Sequence, residues 1–134
     1  MVRFRKITLN LLYFLNVLLV FLLLVEDKVQ LPVFLQVTGR MHPLILHFPL
    51  SLLFVGIFLE YLGTRKNFHH SAVEKITSLV FYAFALSAAL TALFGFFLYK
   101  EGSYLGQEVI LHKWVGTAVS VFAMIVIWLK ESPF

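Results

Sequence analysis

The 134-residue chain is 60% hydrophobic and 13% charged, with a mean hydropathy of +0.91. Soluble domains carry about 25% charged residues, so a solvated globular fold is excluded. The net charge is +4 and there is no cysteine, which rules out disulfides, iron–sulfur ligation and haem attached through a Cys-x-x-Cys-His run.

Four apolar stretches, residues 7–25, 43–62, 76–99 and 109–129, keep their charges near the ends. At ~1.5 Å per residue each reaches across a hydrocarbon core of ~30 Å. In lipid the backbone must satisfy its own hydrogen bonds, which such runs do as helices. The expectation is all-α: an integral membrane four-helix bundle, one membrane domain over residues 1–134, up-down-up-down because the loops are short.

The first stretch follows Arg3, Arg5 and Lys6, as a secretory signal would. Its roughly 19 apolar residues exceed the ~7–15 of a signal core, so it reads as a retained anchor. It ends in Val25-Glu26-Asp27 rather than a small-residue cleavage site. Asn10 and Asn16 are its polar exceptions, too far apart around the helix to share a face. Residues 31–37 (LPVFLQV) are too apolar for a solvated loop and too short to span, so they are expected in the interface, apolar side down.

The second stretch opens with Pro43, suited to a first helical position. Pro49 leaves the Ile45 carbonyl without its helical partner, so the helix either kinks or begins there. The third carries small residues at Ala83, Ser87, Thr91 and Gly95, with Ala88 and Ala92 beside them, and the fourth repeats this briefly with Gly116 and Ser120. Such strips let membrane helices approach closely. Trp114, Trp128, Tyr61, Tyr99 and Tyr104 stand near span ends, as an interfacial aromatic belt requires.

Lys and Arg placement sets the expected orientation. Arg3, Arg5, Lys6, Arg65, Lys66, Lys75 and Lys130 share one side, and Lys28, Arg40, Lys100 and Lys113 the other. The richer side is read as cytoplasmic, with both termini there and loops 26–42 and 100–108 outside. The positive charge then reflects topology and anionic headgroups. No basic patch interleaved with aromatics suggests a nucleic-acid partner.

Three of the five histidines, His42, His47 and His112, fall at the predicted outer end. Any one of them alone reads as a ring at headgroup level, and His69 and His70 as solvated loop residues. Together they suggest more. At 1.5 Å per residue, His47 lies roughly 6 Å in from Pro43 and His112 roughly 4–5 Å in from Val109. Adjacent axes about 8–10 Å apart put diagonal helices roughly 11–14 Å apart, room for two imidazoles with a metal centre between them. His42 and His47, five residues apart, stand about 140° apart on a continuous helix. His47 is therefore taken with His112 as the metal-ligand pair, and His42 as support at the rim. Gly116 lowers the wall beneath His112, and Arg40 and Lys113 are placed to pair with ligand carboxylates such as haem propionates. If these rings bind iron, the lack of cysteine makes the haem non-covalent, that is haem b. Bare zinc or copper is disfavoured, since no Asp, Glu or Cys joins the cluster. Nothing resembles a hydrolytic or transferase site, so a stand-alone enzyme is not the expectation.

The segments Gly39-Arg40-Met41-His42-Pro43, His47-Phe48-Pro49-Leu50, Glu101-Gly102-Ser103-Tyr104 and His112-Lys113-Trp114-Val115-Gly116 resemble an uncharacterised family of small bacterial multi-helix membrane proteins. The same pattern forms the membrane module of planctomycete-type cytochrome c proteins. The resemblance covers about residues 39–129. Ser103 stands where a glycine is common, and Leu105 where an acidic residue is frequent. The resemblance implies the company of periplasmic cytochromes. Two functions are therefore expected of a multi-pass protein of the bacterial inner membrane. One is b-type haem electron transfer, alone or in a redox complex, with a quinol pool, another membrane subunit or a periplasmic cytochrome c as partner. The other is a cofactor-free structural or assembly subunit of a larger membrane complex.

Overall fold

A computed structural model describes residues 2–65, 71–102 and 106–131. All its elements are helices: α1 (Val2–Leu24), α2 (Val33–Gly39), α3 (His42–Ile45), α4 (His47–Gly63), α5 (Ser71–Lys100) and α6 (Gln107–Glu131). Four stretches are long and apolar enough to cross a membrane: Arg3–Leu24, Val33–Gly63, Ser71–Lys100 and Gln107–Glu131. They pack together as a helical assembly, as expected of a multi-pass membrane protein.

The expected helices are present, with longer ends. α1 already includes Arg3, Arg5 and Lys6, whose aliphatic stems extend a helix readily and can carry their charges back to water. The apolar segment after α1 is itself helical, as α2. The second span is interrupted rather than kinked at one point. Pro49 has no N–H for the Ile45 carbonyl, and Ile45 is where α3 ends. Arg40, Met41 and Leu46 nevertheless keep right-handed helical dihedrals, so α2, α3 and α4 follow one another as a broken helix. Pro49 falls in the first turn of α4, where a missing donor is tolerated.

α5 is the hub: α1, α2, α3, α4 and α6 all pack on it. Its buried face holds Ala85, Ala88 and Ala89, where small side chains admit close neighbours, and Phe96. The broken second span runs antiparallel along it in a constant register. A Cβ built on Gly39 would meet the backbone of Phe97 and Leu98, one on Gly95 would meet the His42 ring, and one on Gly56 the Phe81 ring. α1 buries Thr8, Leu12, Leu15, Asn16, Leu19 and Leu23, a stripe at helical spacing. Its opposite face leaves Phe14, Val17, Phe21 and Leu24 exposed, and α4 exposes Phe48, Phe54, Ile57 and Phe58. Lipid, not water, is the solvent these faces suit.

Buried polar groups tie α1 to α6. Ser120 Oγ donates to Asn16 Oδ1 at 2.8 Å, and Asn16 Nδ2 donates to the Leu12 carbonyl at 3.0 Å. Asn10, by contrast, is exposed. At one end of the assembly Glu131 receives both Arg5 and Tyr82, and Lys130 meets Glu60 at 2.8 Å. At the other end Lys113 meets Glu26 and Arg40 meets Glu101. That second end carries the histidines.

Candidate functional site

The broken second span and α6 both lie on α5, and α4 does not pack substantially against α6. Between them the chain leaves a slot floored by the small residues of α5. His42 enters from α3 and His112 from α6. Their ring centres are 5.9 Å apart and their planes lie at 86°. His42 Nδ1 is 2.8 Å from the Thr91 carbonyl oxygen. A carbonyl can only accept, so Nδ1 carries a proton, which in the neutral ring leaves the lone pair on Nε2. Gly95 makes that placement possible: a Cβ there would sit 3.0 Å from both Cε1 and Nδ1 of His42.

The pair stands between two cavities of ≈ 210 Å³ each. Both are lined by His42, Ala92, His112 and Gly116. The first extends toward Tyr99, Val109 and Lys113 at the near end of the spans. The second runs deeper, past Leu53, Phe84, Ala88 and Val119, and its lining is almost wholly apolar. Leu50, Val115 and Val119 on its rim are exposed, so it opens sideways, toward the lipid phase of a membrane.

Charged groups close the near end. Lys113 Nζ lies 2.7 Å and 2.8 Å from the two Glu26 carboxylate oxygens and 4.2 Å from the Tyr99 ring centre. Lys100 Nζ donates to the Glu26 carbonyl at 2.7 Å. Arg40 is exposed and turned to Glu101, with its Nε 3.0 Å from Oε1. The hydrogen bonds from Arg40 hold the Glu101 carboxyl below its ordinary value.

The sequence-selected residues therefore separate into two groups. His42, His112, Lys113 and Gly116 share one slot. His47 is exposed and lines neither cavity. It is the first residue of α4, and α4 turns a different face to α5. Arg40 engages the helix-end carboxylate of Glu101 outside both linings. His69, His70 and Ser103 to Leu105 lie outside the described residues. Among the described residues no group of three or more His, Cys, Asp or Glu is placed to hold a metal ion.

A signal for the pair that meets in the structure is present in the sequence. His42, Pro49 and Gly56 recur at intervals of seven, within about 40° of one helical face, and both Pro49 and Gly56 are buried. His47, nine residues before Gly56, stands half a turn away from it. The role of Glu26 was missed. An acid closing the first apolar run, at the same end as Lys113, was the available clue.

No protein-family model, curated protein or solved structure matches this chain.

Proposed function

We propose that the chain is a membrane-anchored b-type haem protein, acting in electron transfer alone or as a redox-complex subunit, with His42 and His112 as the imidazole pair. The observation that carries this reading is the meeting of two rings from different helices astride two contiguous cavities. The ring centres are 5.9 Å apart, close enough that His42 and His112 would both reach one metal at about 2 Å from each nitrogen. Two imidazoles are half the donor set that a bare tetrahedral cation needs. A porphyrin brings four nitrogens of its own, and with no cysteine in the chain it would be held non-covalently. When bound, such a group supplies one-electron transfer.

The chain's own residues would do the rest. The Thr91 carbonyl fixes the His42 tautomer and ring angle, as outer-shell partners of metal-binding histidines do. Gly95 and Ala92 keep the floor low, and the deeper cavity offers almost wholly apolar walls. The resemblance to the membrane module of cytochrome c proteins points the same way. In this reading the helices run up-down-up-down with both termini in the cytoplasm of a bacterium. The imidazole pair lies near the periplasmic face, within reach of a quinol pool, a periplasmic cytochrome c or another membrane subunit.

One observation favours a second reading, a cofactor-free structural or assembly subunit. The His42–His112 contact itself joins α3 to α6, and Lys113 and Arg40 already have carboxylate partners. A reduced-minus-oxidised absorption spectrum of the detergent-purified protein separates the two. The haem reading expects a b-type α band that is lost in both His42→Ala and His112→Ala and kept in His47→Ala. A colourless preparation from haem-replete cells sinks it.

A further inference from the structure

Lys113 is buried beside the site, with a side chain only 6% exposed. An ammonium this far from water, at the edge of an apolar cavity, needs a counter-charge. Glu26 provides it through both carboxylate oxygens, at 2.7 Å and 2.8 Å. Glu26 itself is not part of a helix. It follows the end of α1, in a turn where Lys28 N–H donates to the Val25 carbonyl. Its side chain keeps 22% of its exposure. Its backbone is fastened separately, by Lys100 on the Glu26 carbonyl. The carboxylate can therefore leave Lys113 for water while the chain beneath it stays in place.

Lys113 also lines the first of the two cavities, the one at the near end of the spans, together with both imidazoles. We infer that Lys113 is the carboxylate subsite of the slot and that Glu26 is its internal occupant, exchanged for a carboxylate of the bound ligand. This rests on the haem reading, since it requires an amphiphilic ligand with an apolar body for the deeper cavity and an acidic edge. The exchange is charge-neutral at Lys113: one carboxylate replaces another, and the released one becomes solvated. Glu26 therefore lowers ligand affinity while keeping the ligand-free protein free of a buried lone cation.

The test is a titration of the purified full chain in nanodiscs with two probes, iron protoporphyrin IX and its dimethyl ester, followed in the Soret band. Glu26→Gln removes the competitor and should tighten binding of the diacid by about tenfold, the scale of a 1.4 kcal/mol change. It should leave binding of the diester within about twofold of wild type. Lys113→Gln should weaken the diacid selectively, and adding Glu26→Gln to it should give no gain. Melting midpoints of the ligand-free proteins report any purely structural cost. Equal effects of Glu26→Gln on both probes, or no tightening of the diacid, overturn the exchange and leave the haem reading intact. A wild-type protein that gives no two-histidine spectrum with either probe overturns both.

Discussion

A Cβ built on Gly116 meets nothing within 4 Å, although the residue lines both cavities beside His112. Gly95 is the contrasting case, because its missing Cβ is already taken up by the His42 ring. One glycine serves packing and the other faces open space, so the two separate structure from binding. Gly116→Leu would project a branched side chain toward the slot from a position where the first added carbon meets no neighbour. In a cofactor-free scaffold that change is neutral or slightly stabilising, since it adds apolar contact and relieves the helix of a glycine worth about 1 kcal/mol against alanine. In a ligand-binding slot it abolishes occupancy. The expected outcome is an unchanged or raised melting midpoint of the ligand-free protein and at least a tenfold loss of haem retained on purification. Full retention of haem in Gly116→Leu would show that the slot is not where haem sits.

At the scale of elements, the second span depends on its seam with α5, because its helices pack on that hub and on one another. Gly39 is the tightest point of the seam. A Cβ there would lie 2.8 Å from the Phe97 carbonyl carbon and 2.9 Å from Leu98 Cα, and backbone cannot move aside as a flexible side chain can. Gly39→Ala should therefore push α2 off α5 at a cost of about 1–3 kcal/mol, the usual range for overpacking. Because His42 follows within one turn, the loss should appear twice: as a lower melting midpoint and as weaker haem retention. Gly63→Ala, with nothing within 4 Å of the added methyl, is the matched control. The four spans were legible in the sequence because length and apolarity alone decide whether a helix can cross lipid. The interruption at Leu46 was only half legible. Pro49 announced the hydrogen bond lost at Ile45, but not that Arg40, Met41 and Leu46 would keep helical dihedrals on either side of α3. Choosing His47 over His42 followed from treating depth as decisive. Rotation about the helix is what brings His42, and not His47, to His112 in the structure, and that rotation was written in Pro49 and Gly56, the buried residues of α4. Glu26 was illegible as a partner of Lys113 because their pairing depends on how α1 leans on α6, a contact 87 positions apart in the chain.

For the whole molecule, sidedness is the property on which partners depend. Arg3, Arg5, Lys6, Arg65, Lys75 and Lys130 sit toward the end where Glu131 and Glu60 form their ion pairs, and Lys28, Arg40, Lys100 and Lys113 toward the imidazole end. Lysine and arginine numbers set topology, with acidic residues contributing little, so the pairing of Arg40 with Glu101 and of Lys113 with Glu26 does not weaken the asymmetry. In the proposed orientation the imidazole end faces out of the cytoplasm. The chain has no cysteine, so single introduced thiols report without background. Gln30 and Ser71 are both exposed and lie near opposite ends of the spans. Gln30→Cys should react with a membrane-impermeant maleimide in intact spheroplasts, and Ser71→Cys only after permeabilisation. The reverse pattern would leave the slot and its imidazoles untouched but turn them to the cytoplasm. That would exclude a periplasmic cytochrome as the direct electron partner and confine the search to membrane-embedded or cytoplasmic ones.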